Sequence, residues 1–175
     1  KKEYDITIKE AKSAYKILGV TDSKFLDIPA TLVENHPHTD LNMKILSVIQ
    51  KLKPEIVVFP FYDRHNDHRI VFNSTMVATR PIKDAKCVKL LAAYETLSET
   101  HWNAPHIEPN FIPNMIVNID EHIQNKLNAC RCYKSQISED KGARSISSIK
   151  SLAQFRGSQS GFKYGEAYSI VRMVL

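Results

Sequence analysis

The feature that most constrains this chain is the run EIVVFPF at residues 55–61, set directly against the polar stretch YDRHNDH. A continuous β-branched and aromatic run of this length reads as a strand covered on both faces, as in a parallel sheet flanked by helices. The abrupt change to polar residues marks where the strand ends and a loop begins. Pro54 marks where the strand starts, because it also stops the helical pattern before it.

Helical patterns lie on either side. Residues 5–18 carry Ala11, Ala14, Tyr15 and Leu18 at helical spacing, and Gly19 supplies a stop. A short strand is expected at 24–27. A second helix runs to Leu52 with Leu41, Ile45, Val48 and Ile49 on one face, opened by Thr39 or Asp40 as cap. After the polar loop the pattern predicts a helix over 68–79, a strand over 86–95 and a long connection over 96–114. A strand at 115–119 follows, and then a helix capped by Asp120 with Ile123, Leu127 and Cys130 on one face. The polar stretch 135–148 precedes a last helix over 148–155. Alternation of this kind builds βα units. The expectation is one α/β domain over residues 1–175, a three-layer Rossmann-like fold with a mainly parallel sheet.

The 175 residues suffice to bury a core without staples. No apolar run reaches the roughly 18–20 residues that span a bilayer. The opening KKEYDITIKEAK lacks the apolar region of a signal peptide. The net charge of +5 is spread along the chain, with none of the clustering that marks a nucleic-acid footprint. Three cysteines without framework spacing argue for reduced thiols and a cytoplasmic setting. The five glycines form neither a G-x-G-x-x-G nor a P-loop, which argues against a nucleotide-binding module.

Open α/β sheets bind ligands beyond the carboxyl ends of their strands. The loop after EIVVFPF holds Asp63, Arg64, His65, Asn66, Asp67, His68 and Arg69. Packing does not account for two imidazoles and two carboxylates in so short a span. A metal-dependent hydrolase needs three protein ligands with one open position, a carboxylate base and a donor for the developing oxyanion. This loop supplies two imidazoles, one for a metal and one for an oxyanion or a proton, with an aspartate to hold an imidazole in place. The remaining groups lie outside it.

The segment FPFYDRHNDHRIVFNSTMVATRP resembles the second metal motif of the LmbE-like, or PIG-L, N-deacetylases, in which a buried strand and a variable loop lead to His-x-Asp-His and a helix. EAKSAYKILGV, FLDIP, YETLSET, MIVNIDEHIQNKLNACRCYKSQ and FRGSQSGFKYGEAY resemble further segments of that family in the same order, so the resemblance covers nearly the whole chain. It implies hydrolysis of an N-acetyl group on an amino sugar or sugar conjugate, with zinc or another divalent metal as cofactor. It makes His68 a metal ligand, His65 the oxyanion donor or acid, and Asp67 the aspartate that orients the neighbouring histidine. Arg64, His101 and Trp102 become candidate substrate contacts. Related proteins often assemble, so a homo-oligomer is expected, with no nucleic-acid partner and no membrane span.

Two features depart from the family pattern. The family's His-Pro-Asp-Asp, which carries the other two ligands and the base, is absent from residues 1–175. His36-Pro37-His38-Thr39-Asp40 has the wrong spacing and reads as a helix entrance. The resemblance therefore implies about 30 further residues ahead of Lys1, one strand-and-helix unit. Second, Thr7 or a neighbour stands where family members often carry an arginine. The alternative expectation is a non-catalytic sugar-binding or assembly protein of the same fold.

Overall fold

The computed structural model describes residues 2–138 and 142–175. Its helices are α1 (Lys2–Leu18), α2 (His38–Leu52), α3 (Asn66–Ala78), α4 (Ile123–Arg131) and α5 (Ile146–Ser158). Its strands are β1 (Ile56–Pro60), β2 (Leu90–Tyr94), β3 (Met115–Asn118) and β4 (Gly165–Met173). They form a four-stranded sheet in the order β1-β2-β4-β3. β1 and β2 pair in parallel, and β4 pairs antiparallel to β2. The amide of Asn114 donates to Tyr168 and that of Ile119 to Tyr164, so β3 runs antiparallel to β4. Three strands therefore share one direction, with β4 inserted the other way.

The chain divides into two compact units, residues 28–115 with 167–175, and residues 1–27 with 116–166. In the first, Phe59, Phe61, Ile49, Ala78, Val88, Leu91 and Ala93 form the core, with Phe72 against Phe59. Beyond this core, β1 departs from expectation. Phe59 and Pro60 are buried, but Ile56 and Val58 are 61% and 44% exposed. Ile56, Val58 and Pro60 share one face of β1, and that face is covered only in its carboxyl half. That half leads into the polar loop.

α2 begins at His38 with Pro37 at its N-cap, so neither Thr39 nor Asp40 caps it. Asp40 instead pairs with His36 and with Lys44, at 2.8 Å from the latter.

In the other unit, α1 buries Ala11 and Ala14 and stops at Gly19, whose φ is +70°. The strand expected at 24–27 does not form. Asp27 is left-handed (φ 56°), which an extended strand excludes. Contacts with α1 hold this segment: Tyr4 donates to Asp27 at 3.1 Å and Phe25 stacks on Tyr15. Asp120 does not cap α4. It accepts the Tyr164 amide at 2.6 Å, and α4 opens three residues later behind His122. Ser145 caps α5, taking the Ser148 amide on its hydroxyl at 3.1 Å.

Candidate active site at the carboxyl end of β1

The loop after β1 turns into α3 through an unusual cap. His65 sits at the N-cap with extended backbone (φ −75°, ψ 119°), and its Nδ1 accepts the Asp67 amide at 3.2 Å. An imidazole thereby does what a Ser or Asp side chain ordinarily does at this position. One turn of helix brings His68 back over His65. The two rings stack with centroids 4.7 Å apart and planes 24° from parallel.

Asp63 is the polar centre of the loop and is fully buried. His68 Nδ1 lies 2.9 Å from Asp63 Oδ1 and 3.0 Å from Oδ2. The His65 amide donates to Oδ1 at 3.0 Å, and the Thr100 hydroxyl donates to Oδ2 at 2.8 Å. Burial by itself raises the Asp63 carboxyl. The hydrogen bonds from His68, the His65 amide and Thr100 outweigh it, and the net displacement is downward. The carboxylate is therefore held ionised beneath His68.

Asp67 is placed differently from the expectation of a carboxylate backing an imidazole. Its Oδ2 accepts the Thr31 amide at 2.7 Å, and it meets His65 through its own backbone N–H. Its Oδ1 is buried without a hydrogen-bond partner among the described residues. The carboxylate faces the 28–35 segment because Thr31, itself left-handed at φ 65°, aims its N–H there. Asn66 ties the same segment through Glu34.

The three candidate substrate contacts do not converge on the imidazoles. Arg64 pairs with Glu108 at 3.0 Å. His101 pairs with Glu95 at 3.0 Å, and Trp102 is 64% exposed. Glu108 also binds Arg69 and accepts the Ala104 amide at 2.9 Å. These contacts hold its carboxyl down at about 2, the Ala104 amide and the Arg69 guanidinium foremost. Arg69 in turn donates to the Asp63 carbonyl and lies over the Tyr62 ring. The long connection after β2 is thus tied to the histidine loop through Thr100 and Glu108. Sequence reasoning assigned no role to Asp63, Thr100 or Glu108. Asp63 had one signal, its place two residues before His65. The other two had none, because their partners lie 37 to 44 residues away. A groove of about 370 Å³ in the other unit, bordered by Leu18, His122, Lys126, Tyr133 and Glu166, contains none of these residues.

An imidazole backed by a buried carboxylate is the donor arrangement typical of a metal-ligating histidine. The loop fits a divalent metal at that one position. Among the described residues no three His, Cys, Asp or Glu side chains come together as a metal site.

The open sheet with helices and a polar loop at the end of β1 define an α/β protein of Rossmann-like architecture. The fold matches that of a conserved protein of Thermus thermophilus, with a TM-score of 0.72 at 22% identity, over 98% of this chain and 75% of that one. It also matches GalB, the 4-carboxy-2-hydroxymuconate hydratase of Pseudomonas putida, with a TM-score of 0.72 at 19% identity, over 98% of this chain and 73% of that one. In sequence, residues 2–79 match the PIG-L family, GlcNAc-PI de-N-acetylase. The chain is 28% identical over 171 residues to the diacetylchitobiose deacetylase of Thermococcus kodakarensis, covering 94% of this chain and 62% of that protein. The chain is thus similar to the PIG-L, or LmbE-like, family, whose pattern it carries over residues 2–79. It spans about six-tenths of the length of the curated relatives it matches.

Proposed function

We propose that this chain is part of an N-deacetylase that hydrolyses the acetamide of an N-acetylated amino sugar or sugar conjugate, with zinc or another divalent ion as cofactor. The observation that carries this reading is the stacked His65–His68 pair at the carboxyl end of β1, with Asp63 buried beneath His68. The family match and the deacetylase relative support the substrate class. The hydratase of the same fold shows that architecture alone does not select the chemistry.

In the reaction, water adds to the acetamide carbonyl carbon, the C–N bond breaks, and acetate and a free amine leave. His68 is one ligand of the ion, which when bound supplies Lewis acidity. His65 donates to the oxygen that gains charge as the carbonyl becomes tetrahedral. Asp67 positions His65 through its amide and holds the 28–35 segment through its carboxylate. Arg64, His101 and Trp102 belong to the substrate side, with Arg64 released from Glu108 on binding. Among the described residues no helix is long and apolar enough to cross a membrane. The three free thiols favour a reducing, cytoplasmic setting.

The test is acetate release from N-acetylglucosamine conjugates, diacetylchitobiose first, by the full-length protein with and without a chelator. Release that stops on chelation and returns with zinc is expected. His68→Ala should abolish both metal uptake and turnover. His65→Ala should keep the metal and lose about 100- to 1000-fold in kcat. Sugar binding without acetate release would instead favour a non-catalytic binding protein, and chelator-insensitive turnover would remove the metal from the reading.

A further inference from the structure

We infer that His65 and His68 are locked in opposite neutral tautomers, and that Asp63 is the positioning residue that sets the second of them. A backbone N–H only donates, so His65 Nδ1, which takes the Asp67 amide, carries no proton. The proton of neutral His65 is on Nε2. Asp63 Oδ1 accepts the His65 amide and Oδ2 accepts the Thr100 hydroxyl, so both oxygens act as acceptors, and His68 Nδ1, within 3.0 Å of both, carries the proton. The lone pair of His68 is on Nε2. Two rings stacked 4.7 Å apart therefore present unlike far edges, an N–H donor at His65 and a lone pair at His68.

The environment of Asp63 enforces this. Its oxygens already accept the His65 amide and the Thr100 hydroxyl, and Thr100 Oγ1 accepts the Thr96 amide at 2.7 Å. The Thr100 hydroxyl proton is thereby directed to Asp63, and His68 Nδ1–H is a third donor to that carboxylate. The chain Thr96 amide, Thr100 hydroxyl, Asp63 and His68 makes the long connection after β2 part of the device. A second consequence concerns α3. The His65 proton arrangement is set by the helix N-terminus itself, because the Asp67 amide in the first turn of α3 chooses which ring nitrogen accepts.

The use of these edges, His68 Nε2 for a metal and His65 Nε2–H for an oxyanion, rests on the proposed deacetylase reading. The tautomers themselves do not. The experiment separates the two. Long-range 1H–15N correlation spectra of metal-free, 15N-histidine-labelled full-length protein are recorded near pH 8.5, where ordinary imidazoles are neutral. His65→Gln and His68→Gln variants assign the two rings. The expected result is Nδ1–H at His68 and Nε2–H at His65. The same tautomer at both rings, or Nε2–H at His68, overturns the inference. Asp63→Asn places an amide beside His68 and should move it toward Nε2–H, with zinc affinity about 10- to 100-fold weaker. An unchanged His68 tautomer and unchanged zinc affinity in folded Asp63→Asn would remove Asp63 from its positioning role. Thr100→Val, which deletes one donor to Asp63 and keeps its charge, should leave the His68 tautomer in place. It should broaden the His68 resonance as the carboxylate loses its anchor, and a shift to Nε2–H in this variant would count against Asp63 as the setting group. Opposite tautomers in a protein that takes up no zinc would sink the metal reading and leave this inference standing.

Discussion

Glu108 shows how one carboxylate fastens a connection that carries little regular structure. It accepts from Arg64, Arg69 and the Ala104 amide, and those donors hold its carboxyl at about 2 instead of the ordinary 4.5. A carboxyl depressed on folding stabilises the folded state fully above its unfolded value. That contribution is lost as pH falls from about 4.5 toward 2. Unfolding free energies from denaturant titrations between pH 2.5 and 5 should therefore fall less steeply with acid in Glu108→Gln than in the parent. Parallel slopes would show that Glu108 is not among the groups that titrate on unfolding. Arg64 is a further check at this scale. If it is freed from Glu108 to meet substrate, Arg64→Ala should raise KM more than it lowers kcat, and an unchanged KM would leave it a loop anchor only.

At the scale of elements, the turn from α5 into β4 is held by close backbone approach. A Cβ built on Gly157 would come within 2.7–2.8 Å of the Tyr164 backbone. Ala is favoured over Gly in a helix interior by about 1 kcal/mol. Here the steric cost wins, because the neighbour is main chain that Asp120 also grips through the Tyr164 amide. Gly157→Ala should lower stability by about 1–3 kcal/mol, the range for overpacking, as read by chemical denaturation. A variant as stable as the parent would show that α5 slides to make room. α3 makes the complementary point. Its start was expected at 68 and is found at Asn66. The reason is that His65 caps it, a residue type absent from the usual capping preferences.

At the scale of the whole molecule, β2 is the centre of what the strands share. It lies between β1 and β4, and Leu91, Ala92 and Ala93 are at most 1% exposed. Native-state hydrogen exchange should find the slowest amides in β2, with β1 amides that face away from it exchanging faster. Equal protection across β1 would mean that its free edge is covered by something further. Much of this arrangement was legible in residues 5–18, 41–52 and 55–61, because an amphipathic period marks a packed helix face and a β-branched run marks a strand, although the run overstated the burial of Ile56 and Val58. β4 was not legible. GEAYSIVRM carries polar residues among its apolar ones, and its place between β2 and β3 depends on partners far away in sequence. The strand at 24–27 failed for the opposite reason. Its local pattern favoured extension, and contacts with α1 won.

By itself the sequence determined that a buried strand delivers two histidines and their carboxylates to its carboxyl end. Strand length, the polar break after Phe61 and the helical period are local properties, and the chain writes them locally. Only the tertiary structure decided which carboxylate serves which imidazole. The family resemblance gave Asp67 the role of orienting the neighbouring histidine. The fold gives His68 to Asp63, because one helical turn returns His68 over the strand end while Asp67 points to Thr31. Hydrogen-bond partners are chosen by direction and distance in space, and sequence spacing fixes neither until the backbone has turned.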